Sequence, residues 1–278
     1  MTAGVEPVKE LRERTGAGIM DCKAALQASN GDMEKAIDYL RKKGVAQAAK
    51  RAGREAKEGL VGALVHNPIA VLVEANCETD FVARTEDFRS LLKLALAEVF
   101  DRGENAIEER KIADRVAELS GKIGEKIVVS RAKRVRSSGG ALFSYVHANQ
   151  KLGVLIEIAA GREASKKKPA FETLGKDLAM QVAASNPVCI SRDEVPIALL
   201  DRERAIFREE VKGKPGNIVE KILAGKFEKY YQNVCLLEQP FIKDDKQPVK
   251  SRIEEAGKQL GDILQVKQFV RFQLGETI

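Results

Sequence analysis

Apolar positions set three successive patterns along the chain. From residue 5 to 44 they recur at helical spacing. Val8 and Leu11 mark a first helix; Thr15, Gly16, Ala17 and Gly18 break it; residues 19–28 make a second, which Asn30-Gly31 stops. Asp32 then stands where it can cap a third helix, whose Met33, Ala36, Ile37 and Leu40 follow the i, i+3, i+4, i+7 spacing of one buried face. A three-helix unit over residues 1–45 follows. The next stretch, 46–58, is rich in alanine and base, and reads as a helical linker kept solvated by its charge.

From Gly59 the pattern is one of strands, stated twice. Gly62 to His66, a turn, then the β-branched run Val71, Leu72, Val73, Glu74 and a polar loop lead into a helix marked by Phe88, Leu92, Ala95 and Val99. Phe143 to His147, a longer turn, then Val154, Leu155, Ile156, Glu157 and a basic loop lead into Phe171, Leu174, Leu178 and Val182. Each copy is a β-hairpin followed by an amphipathic helix able to cover one of its faces, the layering of an α+β unit. Between the copies, residues 104–122 read as a charged helix and 127–135 as a strand. Residues 191–233 interrupt the second copy with two helical stretches, Ile197, Leu200, Phe207 and Val211 on one, Val219, Leu223, Phe227 and Tyr230 on the other. These are too short for a self-sufficient coiled coil and predict a projecting antiparallel hairpin, with its turn at 212–216. The fold class is α+β: a three-helix domain, then two related α+β subdomains over 59–140 and over 141–190 with 234–278, the helical hairpin inserted in the second.

Charge and cysteine content narrow the chemistry. Forty-seven Lys and Arg against 41 Asp and Glu give +6, which suggests an acidic partner or nucleic acid. The basic residues are spread over 41–54, 131–136 and 166–168, with no single stripe and no interleaved aromatics for base stacking. Four scattered cysteines without a CxxC pair and only two histidines argue against a zinc site or a disulfide framework. No window approaches the roughly 18 apolar residues of a membrane span. The first ten residues carry two acids and no apolar core, so no secretory signal or transit peptide is expected and the cytoplasm is the expected location.

No GxxxxGK[ST] or GxGxxG loop is present, so direct nucleotide binding is not expected. Glu74, Glu78 and Asp80 lie near Cys77, yet no histidine adjoins it to make a thiolate, and nothing supports an enzyme or a cofactor. The unusual stretch is 76–84, NCETDFVAR, where a buried strand ends and Phe81 stands on polar chain. A lone phenylalanine there either folds back onto its own core or is presented to another protein. The second copy keeps nothing like it, which favours presentation.

Residues 79–83, TDFVA, after a VLVEANCE strand resemble the signature of the translation elongation factor Ts family, the guanine-nucleotide exchange factors of EF-Tu. VKELRERTGAGIMDC at 8–22, KIGE at 122–125, SYVH at 144–147 and FVRF at 269–272 fall in that family's order. The resemblance implies a ubiquitin-associated-like first domain and a chain that is not an enzyme. It implies EF-Tu, GDP-bound and nucleotide-free, as partner, no membrane, and leaves a homo-oligomer open. In the family the Asp80-Phe81 pair enters EF-Tu beside its magnesium site and loosens Mg²⁺ and GDP, so that GTP can reload. Carried over by motif, the partner-binding residues are Asp80, Phe81, Val82 and Ala83 in the wedge, Arg12, Met20 and Lys23 in the first domain, Ile123 in KIGE, and His147 and Val234 in the second subdomain. Ile19 stands where methionine is common in the family, and Cys235 where it can occur. The alternative from charge alone is a basic RNA-binding adaptor associated with translation.

Overall fold

A computed structural model describes residues 5–212 and 215–276. It opens with α1 (Val5–Thr15), α2 (Ile19–Ala28) and α3 (Met33–Arg51). Leu11, Cys22, Ala25, Leu26 and Ala36 form their core, with Val8, Met33, Ile37 and Leu40 packed around it. Asn30 and Gly31 both take positive φ, so the Asn-Gly pair ends α2 by a left-handed turn, and Asp32 accepts from the Lys35 N–H to cap α3.

The rest is two copies of one unit. The first comprises β1 (Glu58–His66), β2 (Ile69–Cys77), α4 (Asp80–Ala83), α5 (Glu86–Arg102), α6 (Arg110–Ile123) and β3 (Ile127–Arg136). The second comprises β4 (Ala141–Val146), β5 (Leu152–Ala160), α7 (Glu163–Lys166) and α8 (Pro169–Ser185). The insertion α9 (Ile197–Glu210) and α10 (Gly216–Val234) follows. A small hairpin of β6 (Pro240–Phe241) and β7 (Asp244–Pro248) comes next, then α11 (Val249–Leu260) and β8 (Leu264–Gln273). Both sheets are antiparallel and three-stranded, ordered β1-β2-β3 and β4-β5-β8, and both break register at the same place, after Glu74 in β2 and after Glu157 in β5. Both glutamates are buried and satisfied: Arg131 and Asn76 donate to Glu74, and Ser137 and Gln268 donate to Glu157.

The expected linker over 46–58 is corrected. The third helix does not end at Gly44 but runs unbroken to Arg51, with only a short connection before β1. Two glycines explain why it passes close to the first subdomain: a Cβ on Gly121 of α6 would lie 3.1 Å from the Gly44 Cα, and one on Gly44 would lie 3.4 Å from the Ala117 carbonyl. The helical domain is therefore seated on α6. The expected helix over 104–122 is likewise divided, into a 3₁₀ turn at Glu104–Glu108 and α6, with Glu109 extended between them.

Each sheet is covered on both faces. Val71 and Val73 of β2 face the core formed with Phe88, Leu91, Leu92, Ala95 and Val99 of α5, while Ala70 and Leu72 pack, with Val61 and Val135, against Leu142, Leu155 and Phe272 of the other sheet. Val154 and Ile156 of β5 in turn meet Phe171, Leu174, Leu178 and Val182 of α8. This accounts for the continuous apolar runs of β2 and β5, where a strand with one wet face would alternate. The sheets pack closely at Gly153, where a Cβ would lie 2.6 Å from Val61 and 2.8 Å from Leu72.

The inserted helices join the body through Cys189, Val195 and Cys235, with Leu200, Tyr230, Tyr231 and Val234 around them. Arg192 straps this base, donating to Glu228 at 2.8 and 2.6 Å and to Glu238, and lying 4.5 Å from the Tyr231 ring centre. Phe207 and Phe227 meet edge to face along the shaft, centroids 5.3 Å apart. Ile197, expected on the inner face, is 76% exposed at the start of α9 instead. The expected turn falls partly on residues 213 and 214, outside the described residues, as do the outer bounds of the first and last units at 1–4 and 277–278.

One pair of contacts shows how the copies diverged without losing their packing. Gly62, opposite Val73 in β1, leaves room for Leu92 of α5; at the equivalent place Phe143, opposite Ile156 in β4, fills the room left by Gly175 of α8. A Cβ on Gly175 would sit 2.4 Å from the Phe143 ring. Gly175→Leu should therefore destabilise the chain by about 1 to 3 kcal/mol through overpacking. The double change Phe143→Gly with Gly175→Leu should be closer to wild type than the sum of the singles, because it rebuilds the arrangement of the first copy. Urea unfolding of the four chains measures this, and strict additivity would show that the two positions do not share a space.

Candidate functional site

The distinctive segment begins where β2 leaves the sheet. Thr79 is extended (φ −127°, ψ 153°) and its hydroxyl accepts the Val82 N–H at 3.4 Å, the capping geometry that starts a one-turn helix. Thr85 repeats the device for α5 by accepting the Phe88 N–H at 3.3 Å. Within α4, consecutive side chains diverge. Phe81 is 78% exposed, whereas Val82 and Ala83 are 7% and 4% exposed and belong to the core of the first subdomain. The carried-over set is thus divided: Asp80 and Phe81 form the surface, and Val82 and Ala83 root it. Phe81 does not fold back onto its own core. Asp80 is held by Arg84 at 2.7 Å, one turn on, a solvent-facing pair that contributes little to stability.

Two carboxylates join this segment to the loop between α6 and β3. Glu125 accepts the Thr79 N–H at 3.0 Å and the Thr79 hydroxyl at 2.7 Å, and Glu78 accepts the Lys126 N–H at 2.6 Å. The Lys126 N–H first, and the Arg54 guanidinium after it, hold the Glu78 carboxyl below its usual range. Lys126 in turn donates through Nζ to the carbonyls of Ala52 and Arg54 just beyond α3, both at 2.7 Å.

Cys77 lies directly beneath, its Sγ donating to the Thr79 carbonyl at 3.1 Å. Burial, and secondarily the Glu125 carboxylate, push its thiol up to about 12. It is a poor nucleophile. Glu74 is occupied by Arg131 at 2.7 Å, so the acids flanking the cysteine serve the structure. Among the described residues, no group of three or more His, Cys, Asp and Glu is placed to hold a metal, and no helix is long and apolar enough to cross a membrane.

The remaining candidates fall into two groups. Met20 and Lys23 are exposed on one face of α2 and Arg12 on α1; Met20 is 74% exposed, with Ile19 beside it also outward. Lys122 connects this domain to the start of α5, for its side chain lies against Gly16 in the α1–α2 turn and pairs with Asp87 at 2.8 Å. Ile123, the next residue, is half-buried against the first core. Lys122 and Glu125 of the KIGE loop thus reach, respectively, the helical domain and Thr79 at the root of the wedge. His147 and Val234 are elsewhere. His147 is exposed in the β4–β5 turn, its Nδ1 2.9 Å from the Tyr145 hydroxyl, and Val234 is half-buried in the hairpin base. Glu125 closes the KIGE motif, yet the resemblance supplies only Ile123 from it as a site residue: the Glu125 contact with Thr79 spans 46 positions, and no local pattern gives that role.

The family model described as Elongation factor TS matches residues 78–276, from the exit of β2 to beyond β8. Elongation factor Ts of Prosthecochloris aestuarii is 44% identical over 96% of this chain and 97% of its own length. That of Nitratidesulfovibrio vulgaris strain DP4 is 44% identical over 97% and 94%, and that of Lawsonia intracellularis 40% over 99% and 100%. The chain belongs to the elongation factor Ts family. It is by that membership a translation elongation factor, and the elongation factor Ts match takes in the wedge, the KIGE loop, β3 and the whole second sheet, while the full-length relatives extend the likeness through the helical domain, β1 and β2.

The thiols provide a check on this description of the site. All four cysteines are free and buried, and burial raises each, Cys77 and Cys235 to about 12. At pH 8 the native chain should react slowly with a thiol-titrating reagent at all four positions, and rapidly once unfolded in urea. Since an unfolded thiol ionises near its ordinary value, about 8.5, folding stability should fall as pH rises from there toward 12. A fast-reacting Cys77 in the folded chain would contradict the buried setting beneath the wedge.

Proposed function

We propose that this chain is the guanine-nucleotide exchange factor of EF-Tu, binding EF-Tu·GDP and promoting release of GDP so that GTP can reload. The observation that carries the reading is Phe81, a large apolar ring left in solvent on a turn whose neighbours Val82 and Ala83 are sunk in the core. An exposed aromatic on a rigid mount is the usual form of an interface anchor. Asp80 and Phe81 enter EF-Tu beside its magnesium site and weaken the hold on Mg²⁺ and GDP. Arg12, Met20 and Lys23 of the helical domain and Ile123 of the KIGE loop extend the same contact, and His147 and Val234 engage a second part of the partner. In this reading Val82 and Ala83 act as anchors for the wedge, not as contacts.

The RNA-binding alternative loses support from the way the basic stretches are used. Arg41 pairs with Asp114, Lys43 with Asp21 and Arg54 with Glu78; Arg131 pairs with Glu74 and Lys133 with Glu104; Lys166 pairs with Glu163, and Lys168 donates to the Leu260 carbonyl. Much of the base content is engaged within the fold.

The test is release of a fluorescent GDP analogue from EF-Tu. Phe81→Ala should slow catalysed release by an order of magnitude or more, since an aromatic anchor is worth about 2 kcal/mol. Its melting midpoint should stay within about 2 °C of the parent, because a surface ring contributes little to the core. Unchanged release, or an early melt with full activity after refolding, would contradict the wedge.

A further inference from the structure

We propose that Glu125 is the positioning residue of the wedge, fixing the presentation of Phe81 through Thr79. The inference rests on the exchange reading above and adds to it a residue to which that reading assigns no contact. Phe81 is too exposed for packing to aim its ring, so the direction is set by the backbone beneath. That backbone is fixed by three hydrogen bonds. Glu125 takes the Thr79 N–H on one oxygen and the Thr79 hydroxyl on the other, at 3.0 and 2.7 Å. With its proton committed to Glu125, the hydroxyl presents its lone pair to the Val82 N–H and closes the turn that holds Phe81. The carboxylate is itself placed, because the buried Ser120 hydroxyl donates to the Glu125 carbonyl at 2.5 Å and Gly124, at φ 88°, ends α6 just before it.

The second copy supplies an internal comparison. Matching the strands β3 and β8 puts Asp262 at the place of Glu125 and Gly261, also left-handed, at the place of Gly124. Asp262 accepts the Arg162 N–H at 2.9 Å, as Glu125 accepts that of Thr79. The carboxylate-to-backbone tie therefore belongs to the fold in both copies. What differs is the source of the hydroxyl: Ser165, inside the short helix, bonds Asp262, whereas Thr79 stands at the head of its turn and caps it as well; Arg162 stands where Thr79 would be and does not cap its turn, and Ala164 stands where Phe81 would be. A hydroxyl that both binds the carboxylate and caps the turn accompanies the aromatic in the first copy, and the second copy has no such residue at the head of its turn.

The experiment compares the full chain with Glu125→Ala, Glu125→Gln, Thr79→Val, Thr79→Ser and Phe81→Ala, and with Phe81→Ala placed in the Glu125→Ala background. Release of fluorescent GDP from EF-Tu is measured at saturating chain, beside amide hydrogen exchange of residues 79–83. Glu125→Ala should slow release about tenfold and raise exchange at the 80–83 amides, in keeping with the loss of two bonds to a charged acceptor. Glu125→Gln, which still accepts the Thr79 N–H, should lie between it and the parent. Thr79→Ser should retain activity that Thr79→Val loses, a pair that carries the test if Glu125→Ala folds poorly. A positioning role also predicts that Phe81→Ala costs less than about twofold once Glu125 is gone, because an unaimed ring has little left to lose. Equal release by Glu125→Ala and the parent, or a Phe81→Ala factor that is the same in both backgrounds, would overturn the proposal and leave the exchange reading standing. A parent chain indifferent to Phe81→Ala would remove the exchange reading and this proposal with it.

Discussion

Burial of β2 and β5 on both faces is the constraint from which the rest of the molecule follows. Each strand lies in the middle of a three-stranded sheet, with a helix layer on one side and the other sheet on the other. A strand enclosed in this way has little freedom to slip, since a one-residue shift would exchange its two apolar faces and disturb two cores at once. The chain therefore leaves β2 at a fixed point and in a fixed direction. The wedge is built at that exit, and its rigidity comes from the strand before it as much as from the contacts around it.

Duplication explains both the economy and the asymmetry of the structure. The copies share sheet order, register breaks at Glu74 and Glu157, left-handed helix ends at Gly124 and Gly261, and a carboxylate tied to the backbone ahead of the short helix. They differ where contact is made. The first copy keeps Ala117 and Gly121 on α6, which admit α3 at backbone distance; α11 carries Glu254 and Lys258 on the corresponding face, and both are exposed. The first copy exposes a phenylalanine, and the second an alanine. One copy exposes the ring and seats the helical domain, and the other has received the helical hairpin.

Much of this was legible in the sequence because the signals were local. Helical spacing, the Asn30-Gly31 stop, the paired hairpins and the two aromatic-bearing helices of the insertion all follow from period and turn chemistry. The continuous apolar run of β2 reads as a buried strand with a helix over one face, and nothing local says that the other face is covered by another sheet. The outward ring was inferred from a motif and from its absence in the second copy. The inward turn of Val82 and Ala83 was missed because it depends on Thr79 capping a helical turn where a loop was expected. Alanine-rich chain past Gly44 was taken for a separate linker, whereas close seating of Gly44 on Gly121 lets α3 continue. Glu125 lay beyond reach, its partner being 46 positions away.

Exchange requires that EF-Tu without nucleotide be bound better than EF-Tu with it, so that this chain and GDP are negatively coupled, and coupling between binding events is reciprocal. Each tenfold of coupling corresponds to about 1.4 kcal/mol of differential contact, which uniform affinity cannot supply. The direct measurement is calorimetric titration of the chain into nucleotide-free EF-Tu and into EF-Tu saturated with GDP and Mg²⁺. Weaker binding in the second titration, by the same factor by which the chain weakens GDP binding, is the predicted result, and equal affinities in the two would contradict exchange by this mechanism.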